Sequence, residues 1–349
     1  MNFDLNSLVR ENIKKLIPYS SARDEFKGEA NVFLDANENS LGSPLTKWYN
    51  RYPDPLQIKV KEKLSNIKGV PVSNTFLGNG SDECIDVLIR AFCEPGIDNI
   101  LICPPTYGMY KVSADINNVA VKKVNLTPGF QLDLPGIEEA IDGDTKIIFL
   151  CSPNNPTGNS LRREDVEALL NNFFGIVVID EAYINFSRFK SFSVSLDEYP
   201  NLVVMQTFSK AWGLAALRLG IAFASTGIIH VMNKIKPPYN INQATQELAL
   251  KAMEEVEQVN EMIRILVEER ETLKSALLQL PMVETVYPSD ANFLLVKVKD
   301  AKGSYDYLLS RGIVVRDRSR VELCEGCLRI TVGAADENLQ LVNALSETR

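Results

Sequence analysis

Residues 146–180 read KIIFLCSPNNPTGNSLRREDVEALLNNFFGIVVID. The two ends, KIIFLC (146–151) and GIVVID (175–180), are almost uninterrupted apolar runs rich in β-branched residues. Such runs fit strands buried on both faces of a mostly parallel sheet. Between them, 161–172 places Leu161, Val166, Leu169 and Leu170 at helical intervals among charged residues. Strand, helix, strand over this length is the unit from which an α/β fold is built.

The same alternation runs outward on both sides. Strand candidates are NVFLDA (31–36), TFLG (75–78), NILIC (99–103), VAVKKV (119–124), NLVVMQTF (201–208) and GIAFA (220–224). Helix candidates lie at 55–67, 81–93, 107–115 and 211–217. The pattern changes after Pro237-Pro238. Residues 241–279 are charged and helical in period, then ANFLLVKV (291–298), GIVVRD (312–317) and CLRITV (327–332) read as strands, with a last helix from about Ala335. The expectation is an arm at 1–30, a large α/β domain over 31–237 and a smaller α+β domain over 238–349.

Composition narrows the chemistry. The chain has 349 residues, 37 basic and 45 acidic, a net charge of −8 that argues against a nucleic-acid binder. One histidine, His230, leaves too little imidazole for a histidine-rich metal site or a Ser-His-Asp arrangement, so no metal is expected. His230 itself reads as a structural or surface residue. Neither a signal peptide nor an apolar run of membrane length is evident, so a cytoplasmic protein without membrane contact is expected. Of the six cysteines, most sit in apolar runs, and Cys324 and Cys327 read as ordinary thiols near a turn.

Ligands of an open α/β sheet collect beyond the carboxyl ends of its strands, so polar residues just after the apolar runs are the suspects. GNGSDE (78–83) offers small residues and a helix start, an anion nest or a plain capped loop. CSPNNPTG (151–158) offers a directed amide at Asn155, or only a turn. Asp180 ends an apolar run and needs a partner, either a structural cation or a ligand's protonated ring nitrogen. TFSKAWGLAALRLG (207–220) combines Lys210 with Thr207, Ser209 and Arg218, an anion site unless Lys210 is merely solvated. Together these residues match what pyridoxal phosphate needs: a lysine amine, a carboxylate for the ring nitrogen, donors to the phenolic oxygen and a phosphate cup.

At these residues the chain resembles the fold type I pyridoxal-phosphate aminotransferases, and among them the histidinol-phosphate group. LDANEN (34–39), NRYPDP (50–55), GNGSDE, CPPTYGMY (103–110), CSPNNPTG, DEAY (180–183), TFSKAWGLAALRLG and GCLRITVG (326–333) carry the likeness over almost the whole length. The resemblance implies a large domain whose mostly parallel seven-stranded sheet lies between helices, with the arm packed on the small domain. It also implies a homodimer with shared sites.

By the same resemblance Lys210 carries the cofactor, Asp180 faces its ring nitrogen, and Asn155 and Tyr183 serve its phenolic oxygen. Tyr107 stacks on the ring. Ser81, Asp82 through its backbone, Thr207, Ser209 and Arg218 hold the phosphate, and Tyr52 reaches the neighbouring subunit's cofactor. Tyr19, Asn37, Arg316 and Arg329 line the substrate site, with the choice of guanidinium in RDRSR (316–320) left open. The implied reaction moves the amino group of L-histidinol phosphate to 2-oxoglutarate. An aromatic-amino-acid aminotransferase and an amino-acid-phosphate decarboxylase are the nearest alternatives, and a non-catalytic cofactor-binding protein is a remote one. A nicotinamide dehydrogenase is disfavoured because GNGSDE lacks the GxGxxG spacing.

Overall fold

The computed structural model describes residues 3–19, 32–45, 47 and 49–347. A seven-stranded sheet is built from β1 (Thr75–Asn79), β2 (Asn99–Ile102), β3 (Ala120–Lys123), β4 (Thr145–Cys151), β5 (Ile176–Asp180), β6 (Leu202–Thr207) and β7 (Leu219–Ala224). Its order is β1-β7-β6-β5-β4-β2-β3. The five strands from β6 to β3 run parallel, and β7 runs antiparallel to both β6 and β1.

Both faces of this sheet are buried, which explains the unbroken apolar runs. On β5, Val177 and Ile179 enter one core while Ile176 and Val178 enter the other. Val60 and Leu64 of the Ile58–Lys68 helix and Val166 and Leu169 of the Arg163–Asn172 helix cover the first face. The Ser81–Phe92 and Thr226–Ile235 helices cover the second. Truncating a fully buried residue such as Ile179 to Ala should cost about 2–5 kcal/mol.

A second, antiparallel sheet has β8 (Val283–Val286), β9 (Phe293–Val298), β10 (Arg316–Asp317) and β11 (Cys327–Thr331) in the order β10-β11-β9-β8. It packs through Leu294, Val296, Leu328 and Ile330 on the Val256–Leu277, Ala301–Ser310 and Ala335–Ser346 helices. No helix among the described residues is long and apolar enough to cross a membrane.

Several local expectations are corrected. Residues 32–36 of NVFLDA form no strand, and Val32 and Leu34 are exposed rather than paired. The expected 211–217 helix is a turn with only Ala215–Leu217 in a 3-10 helix, because the chain must reverse into β7. The 241–279 helix is two, Gln243–Ala252 and Val256–Leu277, broken at 253–255. Of GIVVRD only Arg316–Asp317 pairs. The β8 strand and the 134–140, 226–235 and 301–310 helices are additional to the elements expected from the sequence. His230 lies inside the Thr226–Ile235 helix and is exposed.

The arm also sits differently. Leu8 and Val9 enter the core on the Ser81–Phe92 side of the large sheet, with Phe3, Leu5 and Ile13 packed against it, and Arg10 bonds Glu94 and the carbonyl of Arg90, so this stretch of the arm packs on the large sheet. Residues 20–31 lie outside the described set. Beyond Pro237, Ile241, Ala249 and Val259 join the core against the large sheet, as do Leu295, Cys324 and Cys327 further along the chain.

Candidate active site

The carboxyl ends of β4, β5 and β6 and the turn after β1 open on one cavity of about 600 Å³. Ser81, Asp82, Tyr107, Asn155, Asp180, Tyr183, Thr207, Ser209, Lys210, Arg218, Arg316 and Arg329 all line it. Residues as far apart as Ser81 and Arg218 meet here because the parallel strands end on the same edge, and Arg316 and Arg329 are brought in from the second sheet.

Asp180 is the last residue of β5 and is buried. Its Oδ2 accepts from the Tyr110 hydroxyl at 2.8 Å and its Oδ1 from the Ala182 N–H at 3.1 Å. Burial pushes its pKa up to about 6, the two hydrogen bonds pulling the other way. Tyr110 was not singled out in the sequence, although it ends the quoted CPPTYGMY. It stacks on Phe149 of β4 with centroids 4.9 Å apart, and Tyr107 meets it edge-on at 5.6 Å.

Lys210 follows β6 by three residues and reaches into the cavity, its Nζ 5.6 Å from the Tyr183 ring centroid. Its pKa is lowered, first by the surrounding protein and then by the Arg329 charge. A larger fraction of free amine at neutral pH follows.

The anion cup is made by close backbone approach. Gly80 has φ 79°, and a Cβ there would stand 2.5 Å from Arg218 Nη2. A Cβ on Gly220 would stand 2.3 Å from the Gly80 carbon and the Ser81 nitrogen. Arg218, itself in a left-handed turn at φ 51°, reaches Asp82 Oδ2 at 3.2 Å, and Tyr107 donates to Asp82 Oδ1 at 3.0 Å. Thr207 Oγ1 donates to Ser209 Oγ at 3.0 Å and accepts from the Ser209 N–H.

Asn155 is held by its own loop. Asn154 Nδ2 donates to the Pro105 carbonyl and to Thr157 Oγ1, and the Asp290 N–H bonds the Gly158 carbonyl. Asn155 Nδ2 then points to the Tyr183 hydroxyl at 3.4 Å, while its Oδ1 accepts from Arg329. The second sheet closes this side. Phe293 of β9 meets Tyr183 edge-on at 5.1 Å, and Arg329 of β11 lies 5.3 Å from the Phe293 centroid. Arg316 is the register partner of Arg329, and Arg318 also lines the cavity.

Three expected residues are not brought to this cavity. Tyr52 stacks on Tyr239 at 4.5 Å in a separate hollow that Asn37 also lines. Tyr19 is 76% exposed and lines neither. Cys324 and Cys327 are buried free thiols, their pKa values raised by burial. Among the described residues no cluster of three or more His, Cys, Asp or Glu could hold a metal ion.

The residues present fit pyridoxal phosphate. A buried carboxylate suits a protonated ring nitrogen, an amide and a phenol stand beside it, and a glycine-floored cup with Arg218 has the space and donors for a phosphate.

The aminotransferase class I and II family model matches residues 30–345. The chain is 57% identical over 345 residues to a histidinol-phosphate aminotransferase of Cytophaga hutchinsonii, covering 99% of each chain. It is 55% identical over 346 residues to one of Parabacteroides distasonis, again covering 99% of each. The fold matches the crystal structure of the histidinol-phosphate aminotransferase of Sinorhizobium meliloti in complex with pyridoxal-5'-phosphate, with a TM-score of 0.79 at 24% identity, covering 86% of this chain and 83% of that one.

Proposed function

The chain belongs to the class I and II aminotransferases, and from that premise we propose that it moves the amino group of L-histidinol phosphate to 2-oxoglutarate, in histidine biosynthesis. The products are imidazole acetol phosphate and L-glutamate. The cofactor is pyridoxal 5'-phosphate. The observation that carries this reading is one cavity that joins Lys210, Asp180 and the guanidiniums of Arg316 and Arg329. The first two serve amino-group chemistry, and the arginines serve anionic substrates.

Bound pyridoxal phosphate supplies an electrophilic carbon and an electron sink for the electrons left on the substrate's Cα. Lys210 Nζ would hold that carbon and, once a substrate amine has displaced it, would take the proton from Cα and give it back, base first and acid second. Its lowered pKa favours the free amine that acts as base. Asp180 would keep the ring nitrogen protonated by placing a negative charge beside it in a buried position. Asn155 and Tyr183 donate to the phenolic oxygen, and Tyr107 covers the ring. Ser81, Thr207, Ser209, Arg218 and the Asp82 backbone fix the phosphate. Arg329 with Arg316 orients the substrate's anionic end.

The reading includes a homodimer. Tyr52 and Asn37 lie away from the cavity of their own chain, in a separate hollow. That placement suits service to a neighbouring subunit. Mixing Tyr52→Phe with Lys210→Ala chains should restore activity in part, since one site of each mixed pair is then intact. A cytoplasmic location belongs to the same reading, consistent with six buried, unpaired thiols.

The test is direct. Loaded protein given histidinol phosphate and 2-oxoglutarate should release glutamate mole for mole with substrate consumed. Release of carbon dioxide from an amino-acid phosphate in place of glutamate formation would overturn the assignment.

A further inference from the structure

Three guanidiniums crowd one end of the cavity. Arg316, Arg318 and Arg329 line it together, and both Arg316 and Arg318 depress the pKa of Arg329 beyond the effect of burial. Among the described residues none of the three is in an ion pair with a carboxylate. The adjacent Asp317 accepts from the Ser319 N–H at 2.8 Å. Among the described residues Arg329 hydrogen-bonds the neutral Asn155 oxygen, and the buried Nε of Arg318 meets no acceptor. Counted over the whole lining, five cations (Lys210, Arg218, Arg316, Arg318, Arg329) face two carboxylates, Asp82 and Asp180, and Asp82 is already taken by Arg218.

Uncompensated guanidiniums are costly to hold together, and an unpartnered buried donor adds to the cost. A ligand with enough negative charge and enough oxygens relieves both. One carboxylate has a single charge and is satisfied by one forked guanidinium, which leaves two cations facing each other. A phosphate monoester carries about −1.5 to −2 near pH 7 and three acceptor oxygens. We propose that Arg318 is a third guanidinium ligand of the substrate's phosphate and sets the preference for a phosphate monoester over a lone carboxylate. Glutamate, with two carboxylates, meets the same charge requirement. This rests on the functional reading above and names the residue that makes its specificity.

The experiment compares wild type, Arg318→Gln and Arg318→Lys, each loaded with cofactor, on histidinol phosphate and on phenylalanine, with inorganic phosphate as a competing probe. Arg318→Gln should lose roughly 10- to 100-fold in kcat/KM for histidinol phosphate, chiefly through KM. Phenylalanine turnover should stay within about threefold, since a lost cation removes little that one carboxylate uses. The inhibition constant for inorganic phosphate should rise in parallel with the KM, and Arg318→Lys should recover part of it. In wild type the KM for histidinol phosphate should climb below pH about 6, as the phosphate dianion takes up a proton and becomes a monoanion. That climb should be shallower in Arg318→Gln. Equal losses on both substrates, or an unchanged phosphate inhibition constant, would overturn the assignment. A wild type inactive on histidinol phosphate would instead overturn the functional reading. Phosphate inhibition of phenylalanine turnover then still decides the role of Arg318.

Discussion

The Tyr110 hydroxyl donates to Asp180 Oδ2 across 2.8 Å, where both side chains are shut off from solvent. Burial raises the Asp180 pKa and this hydrogen bond opposes the rise. Tyr110→Phe removes the opposing influence, so the carboxyl should protonate at higher pH than in wild type. The acid limb of the kcat–pH profile should move to higher pH, with kcat at pH 7 lower by roughly 3- to 10-fold. An unmoved limb would separate Tyr110 from the ionisation of Asp180.

Stability of the cofactor-free protein should carry the opposite signature. Asp180 has a folded pKa of about 6, above the ordinary carboxyl value of 3.8. The folded state therefore binds its proton more tightly than the unfolded one, and stability falls as pH rises between those two values. Asp180→Asn should be more stable than wild type at pH 8 by a few kcal/mol, on the order of two pK units at about 1.4 kcal/mol each. The advantage should vanish below pH about 4. Thermal denaturation of both cofactor-free proteins at pH 8 and pH 4 checks this, and a less stable variant at pH 8 would contradict it.

Gly80→Ala tests the anion cup. The added Cβ would meet Arg218 Nη2 at 2.5 Å, and the φ of 79° disfavours any side chain. Arg218 must move, so cofactor affinity should fall roughly 10-fold or more. The fold should survive, because the clashing atom is the end of a flexible side chain. Gly220→Ala should fare worse, since its Cβ meets backbone at 2.3 Å. Cofactor titration and melting curves separate the two, and equal cofactor affinity in Gly80→Ala would remove Gly80 from the cup.

Lys210→Ala should abolish turnover, leaving less than about a thousandth of the wild-type rate. The variant should still bind cofactor through the cup and Asp180, without the long-wavelength absorbance that a bond to Lys210 gives. Retained turnover would end the assignment of Lys210.

Much of this was legible in the sequence, for physical reasons. Strands buried on both faces leave runs such as GIVVID, and the polar residue that ends each run marks the ligand edge, which is how Asp180 and Lys210 stood out. Turns were harder. The 211–217 segment has helical composition, yet Gly213 at φ 66° and Arg218 at φ 51° bend it back into β7. The NVFLDA run has strand composition, yet residues 32–36 join no sheet and the Phe33 carbonyl accepts from Arg51 instead. Tyr110 was missed because a buried tyrosine reads as core, and only the fold puts it beside Asp180. Arg316 and Arg318 line the cavity and Arg320 does not, a difference set by where the loop after β10 turns, which spacing does not encode.

The most direct measurement is kcat/KM for histidinol phosphate against phenylalanine and tyrosine, with 2-oxoglutarate as acceptor. Histidinol phosphate should be preferred by at least roughly 100-fold, the effect expected of a buried, charge-assisted anion site matched to a phosphate. Equal or better turnover of phenylalanine or tyrosine would contradict the assignment and make the enzyme an aromatic-amino-acid aminotransferase.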